Sequence, residues 1–217
     1  MVLGGAGLLG RAIAAEVRSH GRIPVIADVQ EAADGDRTVY ADLDSADLAR
    51  ELHRAVDRLQ ALVLCASIEE SRPGILKRCT DDLVTEGLFP SLVVGVAQAH
   101  TASTEESYDQ ALWADRELIR CLRRLEIVHA DIGVSTVLHG RLAPAFEDCR
   151  GEVQELDDPG SLLRQDVAAS VGFVLTRPTG QFVRHLQVDP ALQGQATPAR
   201  SWSDESTSKS SLSRVLP

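Results

Sequence analysis

Gly5, Gly7 and Gly10 stand near the start of the chain in a spacing that phosphate chemistry can use. They lie in the stretch Val2-Leu3-Gly4-Gly5-Ala6-Gly7-Leu8-Leu9-Gly10, between an apolar beginning and a helical pattern. Such a stretch reads as a strand, a tight turn and a helix N-terminus. Glycine serves there in three ways: it takes positive φ in the turn, it lets the backbone approach a pyrophosphate, and it lets the helix pack tightly on the strand. Phosphates then meet free N–H groups at the positive end of the helix dipole. The spacing alone also closes ordinary loops, so its surroundings carry the weight. Arg11 to Ser19 has Ile13 and Val17 at helical spacing, His20-Gly21 ends that helix, and Ile23-Pro24-Val25-Ile26-Ala27 reads as a second strand ending in Asp28. An acid about 20 residues past the loop can accept hydrogen bonds from adenosine ribose hydroxyls and repel a 2′-phosphate, which favours NAD over NADP. The alternative for Asp28 is a plain surface carboxylate.

The elements that must hold this loop alternate between strand and helix, the signature of a parallel sheet covered on both faces. Thr38 to Ala41 reads as a third strand, followed by Asp42-Leu43-Asp44 and by Ser45 as an N-cap. Leu48, Leu52, Val56 and Leu59 then mark one face of a helix that leads to a fourth strand, Ala61 to Cys65. A moderate helix over Ile75 to Gly87 precedes a fifth strand, Ser91 to Ala97. Tyr108 opens the longest helical stretch, in which Ala111, Leu118, Leu122 and Leu125 form a stripe widened by Leu112, Ile119 and Cys121. A helix apolar over so much of its girth is buried or pairs with a partner subunit, and a homodimer through residues 108–125 is the expectation. Ile132 to Leu138 is a sixth strand, followed by His139-Gly140. Arg141 to Gly160 is acidic and irregular, a loop expected either to lie over a ligand site at the strand C-termini or simply to be solvated. Leu162 to Leu175 reads as a helix and Phe182 to Val188 as a seventh strand. The fold expected is α/β: a Rossmann-type doubly wound parallel sheet of about seven strands in one dinucleotide-binding domain over 1–190. A Ser-rich, disordered tail is expected over 191–217.

Composition narrows the function classes. The chain has 217 residues with 44% hydrophobic content, enough for one α/β domain with an ordinary core. No apolar run reaches the length of a membrane span, and no signal peptide is expected because the first residues already belong to the fold. A net charge of −10 argues against nucleic-acid or anionic-membrane partners. Cys65, Cys79, Cys121 and Cys149 have no CxxC spacing, and Cys65 and Cys121 sit inside apolar patterns as small hydrophobes, so a reducing, cytoplasmic setting is expected. The six histidines are scattered with no i, i+4 pair, and no metal site is expected. The chain contains no asparagine, and its only lysines are Lys77 and Lys209.

With its segments in this order, the sequence resembles the short-chain dehydrogenase/reductase family from the first residue to about Pro190. The resemblance is carried by Gly4-Gly5-Ala6-Gly7-Leu8-Leu9-Gly10, Asp28, Asp42-Leu43 and Leu64-Cys65-Ala66-Ser67, and by Asp166 to Pro178, which looks like the last helix before the final strand. It implies that Gly4, Gly5, Gly7, Leu8, Leu9 and Gly10 hold the cofactor, that Asp42 and Leu43 flank its adenine, and that Ala66 lines the groove where the family has Asn-Ala-Gly. It also implies that His139-Gly140 replaces a Pro-Gly turn near the nicotinamide. The implied activity is hydride transfer between a nicotinamide dinucleotide and a small-molecule substrate.

Family enzymes use a Tyr, a Lys four residues later, a Ser and an Asn. Here Tyr108 opens the long helix as the catalytic candidate, but Leu112 stands at the lysine position, Arg116 is two turns further along, and the serine position reads as Gln98. Thr101, Ser103, Thr104 and Ser107 are close in sequence, and the asparagine cannot exist in this chain. Without a nearby cation a phenol of pKa about 10 is a poor acid-base group at neutral pH. The segment between the fourth and fifth strands is about half as long as the resemblance implies. The first strand is clipped, with Met1 to Leu3 ahead of Gly4 where strands usually run about 5–6 residues. Either the true start lies upstream or this part of the sheet is weakened. Three readings follow: an NAD-dependent oxidoreductase, a catalytically degenerate protein that binds a dinucleotide or dimerises without redox turnover, and a non-redox enzyme built on the same groove.

Overall fold

A computed structural model of the chain describes residues 1–31, 36–42, 45, 47–65, 90–98, 118–147, 153–156, 158, 160–178, 181 and 183–190. The strands in chain order are β1 (Val2–Leu3), β2 (Val25–Asp28), β3 (Arg37–Tyr40), β4 (Ala61–Leu64), β5 (Leu92–Gln98), β6 (Gly133–His139), β7 (Ala145–Glu147), β8 (Val153–Glu155) and β9 (His185–Val188). Seven of them form one sheet in the order β3-β2-β1-β4-β5-β6-β9, with every pairing parallel. The remaining two, β7 and β8, pair antiparallel. The order reverses between β1 and β4, the place where open α/β sheets leave a crevice at their C-terminal edge. The described helices are α1 (Leu8–Ser19), α2 (Leu48–Ala55), α3 (118–128) and α4 (Arg164–Leu175).

Successive side chains of a strand point to opposite faces of the sheet. Leu3, Leu62, Leu64 and Val93 therefore meet Leu48 and Leu52 of α2 and Leu118, Leu122 and Leu125 of α3. Their neighbours Val2, Val63, Val94 and Val96 meet Ile13 and Val17 of α1 and Val167, Val171 and Val174 of α4 on the other side. Two covered faces leave no polar alternation to be written into the strands, which is why β4 and β5 read as continuous apolar runs. β1, two residues long, is held on both edges: Val2 pairs with Ile26 and Val63, and Leu3 with Ala27 and Leu64.

Several boundaries differ from those the sequence suggests. Ile23 is 87% exposed and lies ahead of β2, because Pro24 cannot donate to a ladder. Ser45 is not the N-cap of α2. That position is Asp47, and the Ser45 hydroxyl accepts the Asp47 N–H at 3.2 Å in the preceding turn. The helix stops at Ala55, so Val56 and Leu59 enter the core from beyond it, Val56 with an extended backbone (φ −138°, ψ 126°). The stretch from Arg141 to Gly160 is not irregular throughout, since it contains the β7–β8 hairpin. In α3 the apolar stripe of Leu118, Cys121, Leu122 and Leu125 is buried against the chain's own sheet, while Ile127 and Val128 stay exposed. The helix expected over 75–87, the opening of the long helix at Tyr108 and the tail beyond 190 lie outside the described residues. Among the described residues, no helix is long and apolar enough to cross a membrane.

The contact of α3 with the sheet depends on Gly95 in the middle of β5. A Cβ there would fall 2.5 Å from Leu122 Cδ1 and 3.2 Å from both Leu118 methyls. Gly95→Val is expected to cost about 1–3 kcal/mol by overpacking, and Leu122→Ala about 2–5 kcal/mol by leaving a cavity. The added methyls of the first fill the space vacated by the second, so the double variant is expected to be clearly more stable than the sum of the single losses. Urea unfolding of all four proteins measures that coupling.

Candidate functional site

The glycine loop joins β1 to α1 at the C-terminal edge of the sheet. Gly4 takes φ 81°, which admits glycine at little cost, and its N–H donates to the Ala27 carbonyl at 2.9 Å. Gly10, in the first turns of α1, is packed so closely that a Cβ there would overlap the Gly4 carbonyl oxygen. Gly5 is also buried. Gly7 is the open one: it is exposed, it is the N-cap of α1, and a Cβ on it would find only the Gly4 oxygen, at 3.6 Å. Gly7 has no side chain with which to cap α1, so it leaves the first-turn N–H groups at Leu8, Leu9 and Gly10 without a cap from the N-cap position.

Two neighbouring strands contribute side chains to this loop. Asp28, the last residue of β2, accepts the Ala6 N–H on Oδ2 at 3.0 Å and the Gln30 N–H on Oδ1 at 3.1 Å. On the opposite flank Cys65, just past β4, donates its thiol to the carbonyls of Leu3 (3.3 Å) and Gly4 (3.4 Å). Burial first, and the negative charge of Asp28 second, push the Cys65 thiol up to about 12. Cys65 packs against the core as the small hydrophobe its apolar surroundings suggest, and its donor role is not legible from them. The only signal was its position directly after the strand next to β1.

Asp42 follows β3 and is half-buried. The Ala41 N–H beside it donates to the Asp28 carbonyl at 2.9 Å, so both acids lie at the same edge of the sheet. Gly140 lies at that edge too, after β6. It is buried, and its N–H donates to the Val188 carbonyl at 2.8 Å. Three strand spacings separate β6 from β1, roughly 14 Å. His139 is the buried last residue of β6, its Nδ1 2.8 Å from the Gly140 carbonyl, and Gln98 ends β5 opposite it. Leu43, Ala66, Tyr108 and Leu112 lie outside the described residues.

The segment after β6 is tied down by charged side chains. Arg164 at the start of α4 donates from Nη1 to Glu155 Oε1 and to the Ala143 carbonyl, both at 2.8 Å, and its backbone N–H meets the same Glu155 oxygen at 2.9 Å. Arg141 pairs with Asp158 at 2.8 Å, and Ser161 donates to Asp158 at 2.7 Å. A groove of about 630 Å³ runs between α1 and α4, lined by Leu8, Arg11, Glu155 and Arg164 among others. It follows the flanks of the helices, and Gly4, Gly7, Asp28 and Gly140 are not among its walls. Among the described residues, no group of three or more His, Cys, Asp or Glu side chains could hold a metal ion.

The parallel sheet of this order, with its glycine turn between β1 and α1, is shared with known structures. A short-chain dehydrogenase/reductase from Vibrio parahaemolyticus matches with a TM-score of 0.65 at 17% identity, over 87% of this chain and 96% of that one. The chain has the short-chain dehydrogenase/reductase fold. An alcohol dehydrogenase from the archaeon Thermococcus sibiricus, complexed with 5-hydroxy-NADP, has the same fold at a TM-score of 0.63 and 16% identity, over 88% of this chain and 96% of that one. So does a short-chain dehydrogenase from Leptospira borgpetersenii with bound NAD+, at 0.64 and 13%, over 87% and 89%. No protein-family model matches the sequence, and no curated protein does. At these identities the likeness to the short-chain dehydrogenases is one of fold.

Cys65 makes the site sensitive to alkali. Its thiol ionises near 9.0 in the unfolded chain and near 12 in the folded one, so the folded state keeps the proton across that window. This contribution to stability is fully present below the unfolded value and is lost as pH rises toward the folded one. Cys65→Ala is therefore expected to lose stability less steeply than wild type above pH 9, as measured by urea unfolding at a series of alkaline pH values.

Proposed function

We propose that the chain binds a nicotinamide dinucleotide at the glycine loop, NAD in preference to NADP, and is an oxidoreductase of the short-chain dehydrogenase/reductase type acting on a small molecule. The observation that carries this reading is the loop itself. The Val2 carbonyl and the Ile26 side chain close the space at Gly5 and backbone closes it at Gly10, whereas Gly7 is open above the start of α1. That combination leaves room for phosphate where the N–H groups and the helix dipole favour it, so the residues fit the group. Leu8, Leu9 and Gly10 would hold the pyrophosphate through their N–H groups. Asp28 has used two of the roughly four acceptor positions of a carboxylate, and the remainder are free for ribose hydroxyls. Its charge disfavours a 2′-phosphate. Asp42 and Leu43 would flank the adenine, Ala66 would line the cofactor groove, and Gly140 would lie near the nicotinamide. When bound, the dinucleotide supplies a hydride donor or acceptor. Tyr108 is the residue assigned to move the proton on the substrate oxygen.

A second reading is favoured by a specific observation: Leu112 stands four residues after Tyr108, and the chain contains no asparagine. Nothing at that spacing lowers the phenol's pKa, and the protein then binds the dinucleotide without turnover. Both readings include a homodimer through the helix over 108–125. Since Leu118, Leu122 and Leu125 face their own sheet, the contact would use the opposite side, where the exposed Arg120 and Arg123 stand. The absence of CxxC spacing among Cys65, Cys79, Cys121 and Cys149 supports a reducing, cytoplasmic setting.

Titration with NADH, followed by nicotinamide fluorescence, is expected to saturate for wild type. Gly7→Ala is expected to fold with a loss of about 1 kcal/mol or less, as an N-cap change, and to bind NADH at least tenfold more weakly, because its methyl enters the phosphate space. Absence of saturable binding in wild type would remove both readings. Oxidation of NADH with a panel of carbonyl compounds, compared with Tyr108→Phe, then separates enzyme from binding protein: turnover abolished by the substitution supports the enzyme. Sedimentation of wild type is expected to give a dimer, and a monomer would count against the helix 108–125 as an interface.

A further inference from the structure

We infer that Asp28 is a positioning residue for the glycine loop: by latching the Ala6 N–H, its carboxylate holds the turn in the shape that presents the first N–H groups of α1. The inference rests on the dinucleotide reading of the loop and adds to Asp28 a role that precedes any contact with ribose. Ala6 lies between Gly5 and Gly7, in the part of the chain with the most backbone freedom to lose. Its N–H points out of the ladder and finds its partner 22 residues away in Asp28 Oδ2, at 3.0 Å. The Gln30 N–H, at 3.1 Å on Oδ1, fixes the carboxylate's own orientation. A hydrogen bond to a charged acceptor is roughly twice as strong as a neutral one. Cys65 completes the brace from the other side by donating to the Leu3 and Gly4 carbonyls. The turn is thus tied to the end of β2 through the Ala6 N–H and to Cys65, just past β4, through one thiol proton shared between two carbonyls.

The latch makes a prediction with a sign. A carboxylate beside an anion site repels the anion, so removing its charge alone strengthens phosphate binding. Removing a latch weakens it. Asp28→Asn removes the charge and keeps an oxygen that can accept the Ala6 N–H, whereas Asp28→Ala removes both. The test compares full-length wild type, Asp28→Asn and Asp28→Ala in two measurements: hydrogen exchange of the segment 3–10 without ligand, and calorimetric titration with inorganic pyrophosphate, a probe without ribose, at fixed ionic strength. Exchange in Asp28→Ala is expected to be about fivefold faster than in Asp28→Asn, the share of one neutral hydrogen bond. Pyrophosphate is expected to bind Asp28→Ala more weakly than Asp28→Asn by about the same factor, while Asp28→Asn matches or exceeds wild type. Equal exchange in the two variants, or equal pyrophosphate affinity above that of wild type, would overturn the inference. Where pyrophosphate binds none of the proteins, the exchange rates decide alone. Protection of β5 and β6 reports that each variant is folded. Should Asp28→Ala lose it, Asp28→Glu takes its place: a ribose-only role leaves loop exchange at the wild-type rate, and a latch role speeds it. Failure of wild type to bind NADH would remove the dinucleotide reading and leave the exchange result standing.

Discussion

The carbonyl oxygen of Gly4 is the atom on which the arrangement of this protein turns. Gly10 lies against it with no room for a side-chain carbon, so α1 must start where it does and lie as close to β1 as backbone allows. From that start, Ile13 and Val17 reach the same core as Val167, Val171 and Val174 of α4. β1 holds its place although it is two residues long, because β2 and β4 pair with it on both sides. A short strand in the centre of a sheet is held by its neighbours' ladders, and the loop that follows it inherits their positions.

The same oxygen is also an acceptor. Cys65 donates to it, Asp28 accepts from Ala6 on the other side, and the two side chains feel one another, since the charge of Asp28 adds to burial in keeping the Cys65 thiol protonated. Placing a carboxylate beside a buried thiol costs nothing in charge repulsion as long as the thiol keeps its proton. The loop is therefore preorganised by two side chains that are not part of it, and its glycines supply close approach without leaving the turn floppy.

Beyond the loop, the site divides. The half at β1, β2 and β3 is built from backbone and short side chains whose partners are nearby strand ends. The described residues at the ends of β5 and β6 are of another kind. There the chain has placed a buried His139, Gln98 at the end of β5, and a hairpin pinned by Arg164 to Glu155 and Ala143. A parallel sheet of this kind accepts such changes because function at its C-terminal edge comes from loops, and the scaffold does not depend on them.

The sequence by itself determined the fold class, the succession of the seven strands of the parallel sheet, the place of the glycine turn and the acid at the end of β2. These are legible because each rests on local pattern: continuous apolar runs for strands covered on both faces, helical spacing at Ile13 and Val17, glycine where only a missing Cβ fits. Tertiary structure alone decided that Asp28 bonds the loop, that Cys65 donates to it as well as packing on the core, that the stripe at Leu118, Leu122 and Leu125 faces its own sheet, and that a hairpin stands within Arg141 to Gly160. The first three depend on partners far away in the chain, 22 residues from Ala6 to Asp28 and 61 from Gly4 to Cys65, whereas the hairpin is a local pairing of Ala145 with Glu155. Periodicity reports which face of an element is apolar. It carries no information on which neighbour that face will meet, because that choice is made by the packing of the whole sheet.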